Sequence, residues 1–89
     1  MIFVDQLFLP GRGPSCFRAG CCHMWTDEST AELIAFAGRL GLKTGWLQDT
    51  GLPSEHFDLT VGRRARAVRL GAVEATSRDW VAKWRGAKR

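Results

Sequence analysis

Ser29 to Gly41 reads as one complete helix with both ends marked, and the rest of the chain has to fold around it. Ser29-Thr30-Ala31-Glu32 has the spacing of a capping box: the serine hydroxyl accepts a backbone N–H three residues on, and the glutamate folds back. Asp27 and Glu28 stand near the positive helix start, where carboxylates are favoured. Leu33, Phe36, Ala37 and Leu40 recur at helical spacing and make one apolar stripe. Gly41 is placed to close the helix in a left-handed conformation. A rod with one apolar stripe needs a second layer to cover it.

The flanking segments supply that layer. Ile2–Leu9 and Cys21–Thr26 are rich in strand formers, and Thr44–Gln48 reads as a third strand. Pro10-Gly11-Arg12-Gly13-Pro14-Ser15 breaks regular structure, so residues 10–20 are expected to be a flexible loop. It lacks the Gly-Lys-Ser/Thr ending of a phosphate-binding P-loop. Asp49–Glu55, with Gly51 and Pro53, reads as a second loop, followed by His56-Phe57-Asp58. A helix is expected over about Thr60–Leu70, with Val61, Ala65 and Val68 on one side and Arg63, Arg64, Arg66 and Arg69 on the remaining arc. Asp58 would open that helix. Gly71 ends it, Ala72–Thr76 reads as a fourth strand, and Ser77 caps a last helix on which Trp80, Val81 and Trp84 share a face. Residues 86–89 read as a basic tail. The order β-β-α-β-α-β-α predicts a small two-layer α/β domain over residues 1–89, with a mostly parallel four-stranded sheet. Three helices leave one sheet face short of cover, so a homo-oligomer is expected.

Composition narrows the function classes. Of the 89 residues, 45% are hydrophobic and 25% charged, which is too apolar for a disordered chain. No apolar run reaches the ~18 residues of a membrane span. The opening Met1-Ile2-Phe3-Val4-Asp5 has no basic leader, so a signal peptide is not expected. Three cysteines, Cys16, Cys21 and Cys22, do not make a disulfide framework, and a cytoplasmic location is the consistent expectation. A cysteine zinc site is not expected either. Cys21 and Cys22 are adjacent and would point to opposite sides of a strand. Charge is uneven: residues 1–58 carry −3, residues 59–89 carry +7, and the whole chain +4. A basic C-terminal third attracts anions, phosphates foremost, although a solvated basic face is the plain alternative.

Phe3-Val4-Asp5, Cys22-His23-Met24, Thr26-Asp27, Glu32-Leu33, Leu40-Gly41 and Trp46-Leu47-Gln48 form an ordered series. His56-Phe57-Asp58, the run from Arg63 to Val68, and Leu70-Gly71-Ala72-Val73-Glu74 continue it. Over residues 3–76 this series resembles a small bacterial and phage family known as domain of unknown function 4031. Phe3 and Phe57 stand where that family usually has tyrosine, and Arg63 where it usually has lysine. The stretch from Gln48 to His56 is longer than the family's usual link. The resemblance brings no activity. It implies only which polar residues recur together: Asp5, His23, Asp27, Gln48, His56, Asp58 and Arg64.

Those seven and Arg63 are the candidate ligand-binding residues, with His23, His56 and Asp58 the candidates for catalysis. In open α/β sheets, ligands bind outside the carboxyl ends of the strands, where the proposed topology gathers this set. Each also has a plain reading. Asp27 and Asp58 serve equally as helix caps, and His23 as a hydrogen-bonded, half-buried residue. His56 and Asp58, two apart, face the same way in an extended chain, which suits a divalent ion, a general base or a pinned loop. Arginine grips phosphate with paired hydrogen bonds that lysine cannot copy. Trp25, Trp46, Trp80 and Trp84 read as core, with base stacking beside arginines the alternative for an exposed one.

Three functions follow as expectations. The first is binding of a phosphate-bearing partner, whether nucleotide, nucleotide signal or nucleic acid, with no dedicated metal. The second is a metal-dependent phosphoester hydrolase drawing ligands and a base from Asp5, His23, Asp27, His56 and Asp58. The third is a protein-interaction domain. No membrane partner is expected, and no cofactor is specified by the sequence.

Overall fold

The computed structural model describes residues 1–9 and 19–87. Four strands and three helices follow in the order β1 (Ile2–Val4), β2 (Cys21–Thr26), α1 (Thr30–Arg39), β3 (Phe57–Thr60), α2 (Val61–Arg69), β4 (Val73–Glu74) and α3 (Ser77–Ala87). Most of the expected 10–20 loop, Cys16 and residues 88–89 of the expected tail lie outside the described residues.

The strands form one mixed sheet in the order β3-β2-β1-β4. Only β1 and β4 are parallel; β1–β2 and β2–β3 are antiparallel, which corrects the mostly parallel sheet expected from sequence. The segment Thr44–Gln48 bears on the β2–β3 pair alone; the antiparallel β1–β2 pair lies before it in the chain and is independent of it. That segment is not a strand but a single 3₁₀ turn, Thr44–Trp46, followed by an isolated pairing of Gln48 with His56. After α1 the chain therefore makes an extra pass before it enters the sheet. It arrives in β3 from the opposite end and runs antiparallel to β2.

Alternation along the strands splits the sheet into two different faces. Ile2, Val4, Cys22, Met24, Phe57 and Leu59 point to one side and pack with Leu33, Ala37, Leu40 and Leu42, and with Ala67 and Ala72, as the apolar core under α1 and α2. Phe3, Trp25 and His23 point to the other side. There Trp25 stacks on Phe3 at 5.8 Å, and Trp80 of α3 lies over both Trp25 and His23. The helices thus lie on both faces, and the expected two layers become three.

Helix ends explain the boundaries. The Ser29 side chain accepts the Glu32 N–H as expected, and Thr60 does the same for Arg63. The returning half of the α1 capping box is missing, because the Glu32 carboxylate is taken by Thr26 and the Met1 ammonium. Both α1 and α2 finish on Leu-Gly with the same pair of hydrogen bonds. Gly41 and Gly71 donate to Gly38 and Val68, while Leu42 and Ala72 donate to Ala37 and Ala67. That closure needs the positive φ of Gly41 (76°) and Gly71 (109°). Thr76, not Ser77, caps α3, exchanging hydrogen bonds with Asp79. Among the described residues no helix is long and apolar enough to cross a membrane.

Candidate metal centre

Both histidines of the chain lie on the sheet face opposite the core. His23 sits in β2 directly across from Asp58 in β3, and His56 immediately precedes β3. Their rings meet edge to face at 5.2 Å. The expected helix start at Asp58 is instead mid-strand, which points its carboxylate to the histidine side rather than to a helix N-terminus.

Each imidazole is held by its Nδ1. On His23, Nδ1 is 2.7 Å from Oδ2 of Asp5, and the backbone N–H donates to Oδ1 at 2.6 Å. On His56, Nδ1 donates to the Ser54 carbonyl at 2.8 Å. Both arrangements leave Nε2 as the available nitrogen. The His56 Nε2 lies 3.5 Å from Oδ1 of Asp58, whose Oδ2 accepts from the Gln48 side chain. Backbone bonds between Gln48 and His56 in both directions fix that loop against β3.

One ligand atom from each of His23, His56 and Asp58 lies within 4.8 Å of the other two. Four-coordinate zinc, with bonds of ~2.0–2.2 Å, sets its ligands about 3.4 Å apart, so small rotations close the set. An imidazole whose other nitrogen is bound by a carboxylate or a carbonyl is how metal-ligating histidines are oriented. Two imidazoles and a carboxylate are borderline ligands suited to zinc and its neighbours, and three protein ligands leave room for water or substrate.

Electrostatics fit the same picture. Burial would raise the Asp58 carboxyl, but the His56 ring and Gln48 outweigh it and hold it below its usual value. Asp5, wholly buried, is likewise pushed up by burial and brought down further by His23 and Ser77. Burial would lower His56, and Asp58 with the Ser54 carbonyl reverses that, raising it. The two carboxylates thus stay charged beside the rings.

A family model described as "Protein of unknown function (DUF4031)" matches residues 2–87, nearly the whole chain. The chain belongs to this family. No curated protein and no solved structure matches it.

In this DUF4031 chain the fold brings together Asp5, His23, Gln48, His56 and Asp58. Arg64 joins them from behind: its Nε donates to the Asp5 carbonyl at 2.8 Å and its Nη1 pairs with Glu74 at 3.1 Å, tying α2 to β1 and β4. Asp27 is not with them. It holds the Met1 ammonium at 2.8 Å, together with Glu28 and Glu32, and that hydrogen bond leads the rise of the ammonium to about 10. Arg63 is also elsewhere, donating to the Leu40 carbonyl and lying over Trp46. Cys21 and Cys22 are buried, and burial lifts the Cys22 thiol to about 12, unsuited to nucleophile or ligand chemistry.

Three residues of the site escaped the sequence reading. Ser77 donates its hydroxyl to Oδ2 of Asp5 at 2.7 Å, completing that carboxylate's shell. Trp80 stacks on His23 at 4.4 Å and meets His56 edge-on at 4.9 Å, while Phe8 covers His23 at 5.1 Å. Ser77 looked like a cap and Trp80 like core. Their spacing of three on one helix was the available signal, since it puts both on the side of α3 that meets the sheet.

Proposed function

We propose that this domain binds a divalent transition ion, zinc or a close neighbour, through His23 Nε2, His56 Nε2 and the Asp58 carboxylate, and uses it to hydrolyse a phosphoester. The observation that carries the reading is the pairing of each Nδ1 with its own fixed acceptor, which leaves both Nε2 atoms available beside one carboxylate.

In this reading the ion brings the pKa of a bound water down to ~7. Such a water would serve as the nucleophile at phosphorus, the ester P–O bond breaking as the new P–O bond forms and the departing alkoxide taking up a proton from solvent. Asp5 and Ser77 keep the His23 ring in place and Gln48 keeps Asp58. Trp80 and Phe8 shield the site with aromatic surface. The buried Trp80 indole N–H has no hydrogen-bond partner among the described residues. Such a donor costs ~1–3 kcal/mol unmet. The net charge of +4 favours an anionic substrate.

Titration calorimetry with Zn²⁺, Mn²⁺ and Ni²⁺ tests the ion, and turnover of bis(4-nitrophenyl) phosphate tests the reaction. One ion bound per chain, with turnover that EDTA removes, is the expected result. An ion without turnover reduces the proposal to a metal-dependent phosphate-binding module. No ion bound at millimolar concentration overturns it.

A further inference from the structure

We infer that Trp46, with Lys43, Arg63 and Arg39, forms a docking surface for single-stranded nucleic acid on the α1–α2 side of the domain; under the hydrolase reading, that strand is the substrate.

Trp46 is the most exposed of the four tryptophans. Its neighbour Leu47 packs against the core, and Trp25 and Trp80 are buried, but Trp46 keeps 47% of its surface exposed. The Lys43 ammonium and the Arg63 guanidinium each lie 5.7 Å from its ring centroid. Arg63 is fixed there, because its Nε also donates to the Leu40 carbonyl at the end of α1. Arg39, one residue before Leu40, lies over Phe36 at 5.8 Å. None of these three cations forms a salt bridge among the described residues, whereas Arg64, on the same helix as Arg63, is paired with Glu74.

An exposed aromatic face among uncompensated cations matches the two parts of a single strand. The ring offers a platform to an unpaired base, and the cations meet the phosphates on either side. A duplex hides its base faces and cannot use the ring. An acidic protein could use the charge but would leave the indole unexplained.

The surface is linked to the site through the chain. Gln48, which holds Asp58, follows Trp46 by two residues, a reach of at most ~7 Å. Arg63 follows Thr60, the last residue of β3, by three, and accepts its position from the Thr60 cap. The turn and the strand that build the platform therefore also build the candidate centre.

Fluorescence anisotropy of labelled dT12 and rU12 in EDTA tests docking without the ion. At low salt the strand is expected to bind, with the affinity falling about 5- to 100-fold in Trp46→Ala and staying near wild type in Trp46→Phe, as loss of one stacked base predicts. Arg39→Ala and Lys43→Ala are expected to flatten the salt dependence by about 0.7 in log–log slope each. Equal binding of duplex or heparin, an unchanged Trp46→Ala, or no binding of either oligonucleotide overturns the inference. Turnover of bis(4-nitrophenyl) phosphate separates the two readings. If it persists without strand binding, only the docking surface is lost. If a Trp46-dependent strand binds and no ester is ever cleaved, the docking surface stands and the hydrolase falls.

Discussion

Asp5 and His23 are joined twice: one carboxylate oxygen takes the histidine backbone N–H at 2.6 Å and the other holds the ring Nδ1 at 2.7 Å. The carboxylate is wholly buried, and Ser77 supplies a third donor. It therefore fixes both the strand and the ring on it. Asp5→Asn keeps the shape but offers an N–H₂ group where one donor now finds an oxygen. Melting is expected to drop by the equivalent of ~1–3 kcal/mol for the donor left unmet. Ion affinity by calorimetry is expected to fall about 10- to 100-fold, the usual cost of losing an outer partner of a ligand.

The two carboxylates Asp27 and Asp58 were equivalent in sequence terms, and the fold separates them. Asp58 faces His56, while Asp27 clamps the Met1 ammonium with Glu28 and Glu32. Asp58→Ala is expected to remove ion binding with circular dichroism unchanged. Asp27→Asn is expected to bind the ion as wild type does. Equal loss in both variants would mean that the ion sits in the acidic cluster and not between the histidines.

Much of the architecture was legible because it is written locally. The bounds of β2, the capping serine of α1 and the glycines after α1 and α2 depend on near neighbours only. The sheet direction was not legible at two places: the consecutive strands β1 and β2 run antiparallel, and the segment after α1 that looks like the next strand is not one. Thr44–Gln48 alternates well enough for a strand, but a strand exists only where a partner lies alongside, and here only Gln48 finds one. The true strand, Phe57–Thr60, is four residues long and sits between a loop and a helix cap. Its buried Phe57 and Leu59 alternate with half-buried Asp58 and Thr60, a pattern too short to outweigh the adjacent helix signal. At the site, His23, His56 and Asp58 were visible as residue types. Their holders were less so: Ser54 acts through its backbone, and Ser77 meets Asp5 from 72 residues away.

Leu33 tests how little spare stability the domain has. It is completely buried and sits where the α1 stripe meets the sheet. A chain of 89 residues is expected to be stable by only about 4–13 kcal/mol. Leu33→Ala removes about 2–5 kcal/mol, depending on how far the cavity collapses. Urea unfolding should therefore show a large fall in midpoint with an unchanged slope. Leu33→Met, which conserves volume, is expected to cost under ~1.5 kcal/mol.

Thr76 and Asp79 govern whether α3 stays on the histidine face. The Thr76 hydroxyl accepts the Asp79 N–H at 3.0 Å, and the Asp79 carboxylate accepts the Thr76 N–H at 3.0 Å. Trp80, the next residue, is the ring over His23. Thr76→Ala is expected to cost ~0.5–2 kcal/mol, the usual range for a lost cap. The loss should appear first as faster amide exchange at the start of α3. The Asp79 carboxyl is held below its usual value, first by the Thr76 backbone N–H and then by the Thr76 side chain. A carboxyl lowered in the folded state stabilises the fold above its unfolded value and stops doing so as pH falls through the folded one. Asp79→Asn should therefore melt lower than wild type at neutral pH, and the gap should close as pH falls below the ordinary carboxylate range. A gap that stays constant down to strongly acid pH would show that the carboxylate charge contributes nothing to holding α3 in place.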